Sequence, residues 1–167
     1  MQDKQATMNY GSFKEHKQRD NAAQTPAWLY DMLNKEHCFD FDPCPANPGF
    51  DGLTEEWGMC NYVNPPYGRI KWWLRKALIE LDKGKKSVFL VPLRPHCKYW
   101  KDLVVNRAAE VHVIMNKIAF QGYDAVFPGS LCLIIYDPDT IRHVYKVDHD
   151  GQLSTMALTT TIKFAGL

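Results

Sequence analysis

The chain has 167 residues, 46% of them hydrophobic and 23% charged, which gives one ordinary domain enough apolar side chain for a core and leaves too little for two. A formal net charge of +1 selects no class of partner, and the lack of a long apolar run or a signal-peptide pattern points to a soluble, cytoplasmic protein with no membrane segment. Five cysteines without a CxxC pair argue against a disulfide framework and against a zinc site, so no metal is expected.

Residues 1–23 are polar and carry no periodic apolar face, the pattern of a mobile arm ahead of a single domain over 24–167. Thr25 is a good N-cap and Pro26 suits a first helical position. Leu29, Met32 and Leu33 then share a face, so a short helix is predicted to end near His37. Phe39-Asp40-Phe41-Asp42 alternates apolar and polar residues before Pro43, as a short strand ending in a proline-rich turn does. Its end is a natural place for a ligand.

Asn61-Tyr62-Val63 reads as a brief strand. Asn64-Pro65-Pro66-Tyr67-Gly68 cannot continue it inside a sheet, because two successive residues lack an amide hydrogen. From Ile70 the apolar positions Trp73, Leu74, Ala77, Leu78 and Leu81 follow a helical period, with Gly84 as the C-terminal stop. Residues 87–93 form the continuous apolar run of a strand buried on both faces, with regular pairing ending at Pro92. A helix carrying Trp100, Leu103, Val104 and Ala108 follows, then strands at 111–114 and 131–136 and a return strand near 143–147. This order predicts an α/β fold with a mostly parallel sheet and an antiparallel edge hairpin. Arg69, Lys71, Arg75, Lys76, Lys83, Lys85 and Lys86 crowd together, either as a phosphate-facing strip or as a solvated helix face.

The Asn64-Pro65-Pro66-Tyr67 loop suits one demanding reaction. The exocyclic N6 amine of adenine is a poor nucleophile because its lone pair is delocalised into the ring. It needs two acceptors that bind its hydrogens and draw the nitrogen toward tetrahedral geometry, with the lone pair aimed at a sulfonium methyl group. The Asn64 side-chain oxygen is one acceptor and the Pro65 backbone carbonyl the second, held rigidly by the fixed φ angles of Pro65 and Pro66. Leaving the duplex costs a base a few kcal/mol. Stacking on Tyr67 would return about 1–3 kcal/mol, and Gly68 would let the backbone turn away beneath the base. The competing structural reading is a plain loop with Tyr67 packed in the core.

Four elements in order resemble the phage-type, Dam-like family of DNA N6-adenine methyltransferases: Thr25-Pro26 with Leu29, Asp42-Pro43-Cys44 after Phe41, Asp51-Gly52-Leu53 with Trp57, and the segment from Asn64 to Gly68. The resemblance runs from about residue 25 to residue 136. It implies a reduced Rossmann-like methyltransferase fold, S-adenosylmethionine as methyl donor and DNA as partner. By position it implies that Thr25 and Pro26 lie against the methionine moiety, that Asp42, Pro43 and Cys44 line the cofactor, and that Asp51 sits near the cofactor adenine. Asp42 can accept from the cationic α-amino group, or it simply caps a turn; Cys44 is cofactor lining or a small core filler.

On the substrate side the candidates are Gly68, Arg69, Arg94 and Phe120. Pro92-Leu93-Arg94-Pro95 resembles the family's strand-end segment, where Arg94 meets a phosphate or a carboxylate. Phe120 is a second face for the flipped adenine or ordinary core packing. Trp72, off the apolar stripe, covers the site, contacts DNA, or is a surface residue. Asp51 follows Asp42 by only nine positions, which leaves no room for a second strand bearing a ribose-binding acid. The same loop chemistry serves RNA adenines and glutamine amides, and a non-catalytic DNA-binding protein that kept the fold is a further alternative. With about 30 residues after Tyr136, specificity is expected to be relaxed, or assembled from the basic strip, the arm and the second subunit of a homodimer.

Overall fold

A computed structural model describes residues 23–105 and 107–140, and beyond them the backbone of three further strands. The expected arm lies outside the described residues apart from Ala23. The first helix, α1, spans Ala27–His37 and buries Leu29 and Leu33. Strand β1 (Cys60–Val63) enters the proline loop, a single 3-10 turn covers Tyr67–Arg69, and helix α2 spans Ile70–Asp82. Strand β2 (Lys86–Pro92) leads to a short helical segment, α3 (Lys98–Trp100), which continues as a π-turn over Lys101–Val105. Strands β3 (Glu110–Ile114), β4 (Leu131–Tyr136), β5 (Val144–Val147), β6 (Leu153–Met156) and β7 (Thr161–Ala165) complete the described elements.

Five strands form one sheet in the order β1-β2-β4-β3-β7. β1 and β2 are parallel, as are β3 and β7, while β4 runs antiparallel to both of its neighbours. The architecture is mixed α/β, but the sheet is not mostly parallel as expected, since two of its four pairings are antiparallel; the antiparallel strand β4 lies inside the sheet and does not form the expected edge hairpin with the strand near 143–147. The cause is topological: the connection after β2 sets β3 one strand-width away, and β4 folds back from β3 into the gap. Every residue of β4, like all of β2 after Lys86, is buried, as a strand covered on both faces requires. The later hairpin, β5 with β6, forms a separate two-stranded sheet. Pro92 does end its strand, paired with Leu131.

Two local expectations shift. Pro26 occupies the N-cap position and Ala27 begins α1, with no side-chain cap; the Thr25 hydroxyl is committed elsewhere, to Tyr62 and Asn64. The segment around Phe41 is reduced to one parallel bridge with Asn61. It still runs beside β1, since Asp40 N–H donates to the Cys60 carbonyl at 2.9 Å and Tyr62 N–H to the Phe41 carbonyl at 3.0 Å. Asp42 and Asn64 therefore end neighbouring segments at the same edge of the sheet.

Helix α2 packs the predicted apolar face, Trp73, Leu74, Ala77, Leu78 and Leu81, into the core, each large side chain contributing about 1.5–3 kcal/mol of burial. It ends as the sequence predicts. Gly84 has φ +80°; its N–H donates to the Leu81 carbonyl at 2.9 Å, and the Lys85 N–H donates to the Glu80 carbonyl at 3.1 Å. This is a Schellman closure. An ion cluster reinforces it: Glu80, 1% exposed, meets Lys76 at 2.7 Å, Lys83 at 3.0 Å and Lys85 at 3.1 Å. Lys85 also donates to the Trp57 carbonyl, at 2.5 Å, which ties the end of α2 to the loop before β1.

Burial alone would raise the Glu80 pKa, but hydrogen bonds from Lys76, Lys83 and Lys85 outweigh it and hold the carboxyl at about 2. Its contribution to stability is therefore present above the ordinary glutamate range and is lost as pH falls toward that value. We expect Glu80→Ala to lower the free energy of unfolding by about 3–5 kcal/mol near neutral pH, measured by denaturant titration. A loss below about 1 kcal/mol, the size typical of exposed pairs, would show that the cluster is only a solvated surface network.

Candidate active site

The proline loop leaves β1 at Asn64. Its carboxamide is oriented by its partners: Nδ2 donates to the Ala23 carbonyl at 3.0 Å and to the Thr25 hydroxyl at 3.2 Å. A main-chain carbonyl can only accept, so the atom facing Ala23 must be the nitrogen. Oδ1 is left as a free acceptor among the described residues. The Pro66 carbonyl accepts from Arg69 N–H at 2.9 Å. That of Pro65 accepts no hydrogen bond from the described residues.

Asn64 and Pro66 line a cavity of about 600 Å³ with Thr25, Asp42, Pro43, Cys44 and Asp51. Seven of the residues singled out from sequence thus converge on one space. The two loops that form its far wall meet closely at Gly52, where a Cβ would lie 2.0 Å from the Pro43 carbonyl oxygen. Only glycine permits that approach. The Trp57 indole N–H donates to the Gly52 carbonyl at 2.7 Å, so the spacing from Asp51-Gly52-Leu53 to Trp57 is a tether that fixes the turn.

Asp42 is both turn cap and cavity wall. Its Oδ1 accepts from the Cys44 N–H at 2.8 Å, and no lysine, arginine or histidine among the described residues pairs with it. Burial pushes its carboxyl from 3.8 up to about 6, with the Cys44 hydrogen bond acting against the rise. Burial, then Asp42 and Asp51, push the Cys44 thiol upward, so it is neutral and lines the space as a small apolar group.

The other predicted residues stand outside the lining. Tyr67 is 5% exposed and packs edge-on against Phe120 and Phe127, with ring centroids 6.4 Å and 5.6 Å away. Phe120 is itself core, so the packing alternative describes both rings in this state. Pro65 is buried, Pro26 is the N-cap of α1, and Gly68 and Arg69 are exposed at the head of α2. Arg94 lies just past the carboxyl end of β2, on the edge that also carries Asn64. The basic strip divides: Lys76, Lys83 and Lys85 surround Glu80 and Lys86 pairs with Asp137 at 2.8 Å. Only Arg69, Lys71 and Arg75 remain as exposed cations on the early part of α2, with the Arg75 guanidinium 5.2 Å from the ring of the exposed Trp72.

Tyr30, Tyr62, Phe50 and Trp73 also line the cavity without having been singled out for it. Tyr62 carried the clearest signal, since a phenol in a short buried strand needs a polar partner. That partner is Thr25, 2.5 Å away. The helical period places Trp73 in the core, and it does stack on Trp57 at 6.3 Å; periodicity cannot reveal that such a ring also faces a cavity.

The raised carboxyl of Asp42 makes a signed expectation. The folded chain holds this proton more tightly than the unfolded chain, so the associated stability is full below the ordinary aspartate range and is lost as pH rises through about 6. Asp42→Asn keeps the Cys44 acceptor and removes the charge. We expect it to raise the thermal midpoint at about pH 7.5 and to lose that advantage by about pH 4. An equal gain at both pH values would contradict the assignment.

Among the described residues no helix is long and apolar enough to cross a membrane. No curated protein matches the chain. A family profile described as DNA N-6-adenine-methyltransferase (Dam) matches residues 11–130, well over half of the sequence and all of the cavity-lining loops. The chain belongs to the DNA N-6-adenine-methyltransferase (Dam) family.

Proposed function

We propose that this chain transfers the methyl group of S-adenosylmethionine to the N6 amine of a flipped adenine in DNA, on a reduced Rossmann-like methyltransferase fold. The observation that carries the reading is the fixed carboxamide of Asn64, with its oxygen uncommitted at the wall of a cavity large enough for a cofactor. Ligand cavities commonly measure about 300–1,000 Å³. A half-buried carboxylate without a cationic partner among the described residues suits a ligand that brings its own cation. We assign the α-amino group to Asp42, the methionine chain to Thr25, Pro26, Pro43 and Cys44, and the cofactor adenine to the neighbourhood of Asp51.

When bound, S-adenosylmethionine would supply an electrophilic methyl group on a cationic sulfur, whose bond to the methyl carbon breaks in the transfer and leaves a neutral thioether. The residues of the chain prepare the nucleophile. Asn64 Oδ1 accepts one N6 hydrogen and the Pro65 carbonyl accepts the other, which draws the nitrogen toward tetrahedral geometry and frees its lone pair. As nitrogen gains the methyl group it gives up one proton, which passes to solvent, since neither acceptor is a base. Tyr67 stacks on the base once the base displaces Phe127, the more exposed of its two ring neighbours. Phe120 then closes the same aromatic cluster.

DNA docks along the early face of α2. Arg69, Lys71 and Arg75 contact phosphates, Trp72 rests against the backbone beside Arg75, and Arg94 meets a phosphate at the adjoining strand end. A homodimer would double this footprint.

We expect Asn64→Ala to abolish methyl transfer to adenine in duplex DNA while cofactor affinity stays within a few-fold, because the side chain acts on the amine. Transfer of a labelled methyl group with calorimetric cofactor titration tests this. Undiminished transfer would remove the mechanism, and methyl groups recovered only in RNA or on glutamine would redirect the substrate. For docking, the Arg69→Gln, Arg75→Gln pair should weaken DNA binding and reduce the slope of log affinity against log salt by about 1–2. An unchanged slope would take DNA off this face.

A further inference from the structure

We infer that Tyr62 and Thr25 are positioning residues for Asn64: a strap over residues 23–25 and the phenol beneath it hold the carboxamide in its working orientation. The inference rests on the reading of Asn64 as the acceptor of the amine.

A free carboxamide in a cavity wall presents nitrogen or oxygen about equally and rotates about its final torsion. Presenting nitrogen would place a donor against the adenine amine, which is itself a donor, and the reaction would stop. Two acceptors prevent this. The Ala23 carbonyl and the Thr25 hydroxyl, 3.0 Å and 3.2 Å from Nδ2, fix the nitrogen on the strap side.

The Thr25 hydroxyl can serve only if its own proton points elsewhere, and Tyr62 provides the means. The two oxygens are 2.5 Å apart. Whichever of the two oxygens donates, Thr25 is left with a lone pair to receive the Asn64 N–H. Burial pushes the Tyr62 phenol well above its ordinary range, with the Thr25 hydrogen bond acting the other way, so the phenol stays neutral and holds the Thr25 hydroxyl by a hydrogen bond.

The strap is anchored independently. Gln24 forms an antiparallel bridge with Gln121, whose N–H donates to the Gln24 carbonyl at 2.8 Å, and Gln121 adjoins Phe120, which packs on Tyr67. The strap therefore joins the 115–130 connection, the catalytic loop and the wall of the cavity. Gln24 and Thr25 themselves line the cavity, so the segment that orients Asn64 is also part of the cavity wall.

The test compares Tyr62→Phe, Thr25→Val and Thr25→Ser with wild type by two measurements on the full chain. The first is the ¹⁵N-edited spectrum of the Asn64 carboxamide, with exchange of its two protons. The second separates kcat from cofactor Kd. We expect Tyr62→Phe and Thr25→Val to shift the carboxamide signals, speed their exchange and lower kcat about ten- to a hundred-fold, with cofactor Kd within about threefold for Tyr62→Phe. Thr25→Ser, which keeps the hydroxyl, should restore both readouts. Unmoved carboxamide signals in Tyr62→Phe and Thr25→Val would overturn the proposal, as would a tenfold weaker cofactor Kd with kcat intact in Tyr62→Phe. A wild-type protein that methylates no nucleic acid would defeat the proposed function instead, and the carboxamide signals would still decide whether the strap holds Asn64.

Discussion

Two successive residues without an amide hydrogen, Pro65 and Pro66, decide where this protein can do chemistry. A strand cannot pair through them, so the chain leaves β1 at the carboxyl edge of the sheet with Asn64 as its last ordinary residue. The same constraint fixes both φ angles and stiffens the loop that follows. The rest of the site is built around that exit. Asp42 ends the neighbouring segment, the tethered turn at Gly52 closes against Pro43, and the strap at 23–25 crosses over the carboxamide. Open sheets bind ligands at this edge because the loops there diverge and leave a crevice.

A second constraint holds the frame in register. Glu80 lies at the end of α2 among three lysines, and Lys85 reaches from that cluster to the Trp57 carbonyl. Trp57 in turn holds the Gly52 turn. A charge cluster at the C-terminal end of α2 and the cavity wall are thus joined by two hydrogen bonds through one tryptophan. Basic residues that look in sequence like a phosphate strip are spent on this internal work, which leaves the early turns of α2 as the exposed cationic face.

Much of the fold was legible because its signals are local. The period of α2, its Gly84 stop and the apolar run of β2 each follow from short-range chemistry, and each lies where the sequence places it. The position of β4 was not legible: nothing in residues 131–136 says whether they pair at an edge or between two strands, since that depends on where β3 lands. The same limit explains Thr25. Its hydroxyl looks like a helix cap, but a partner 37 residues away, Tyr62, takes it. The cavity lining was readable where a motif named it, at Asp42, Cys44, Asp51 and Asn64. It was unreadable at Tyr30, Phe50 and Trp73, whose ordinary hydrophobic character conceals which face they turn to the space. For Tyr67 and Phe120 the sequence is compatible with a base-stacking face or with core packing, and the observed state favours packing for both.

The central claim is that one cavity holds the methyl donor within reach of the Asn64 carboxamide. The most direct measurement is a nuclear Overhauser contact between a ¹³C-labelled methyl group of bound S-adenosylmethionine and the side-chain amide protons of Asn64. The account requires that contact, together with shifts at Thr25, Asp42 and Asp51 on binding. Saturable binding that moves those three residues but gives no contact to Asn64 would contradict it, as would binding that leaves the cavity residues undisturbed.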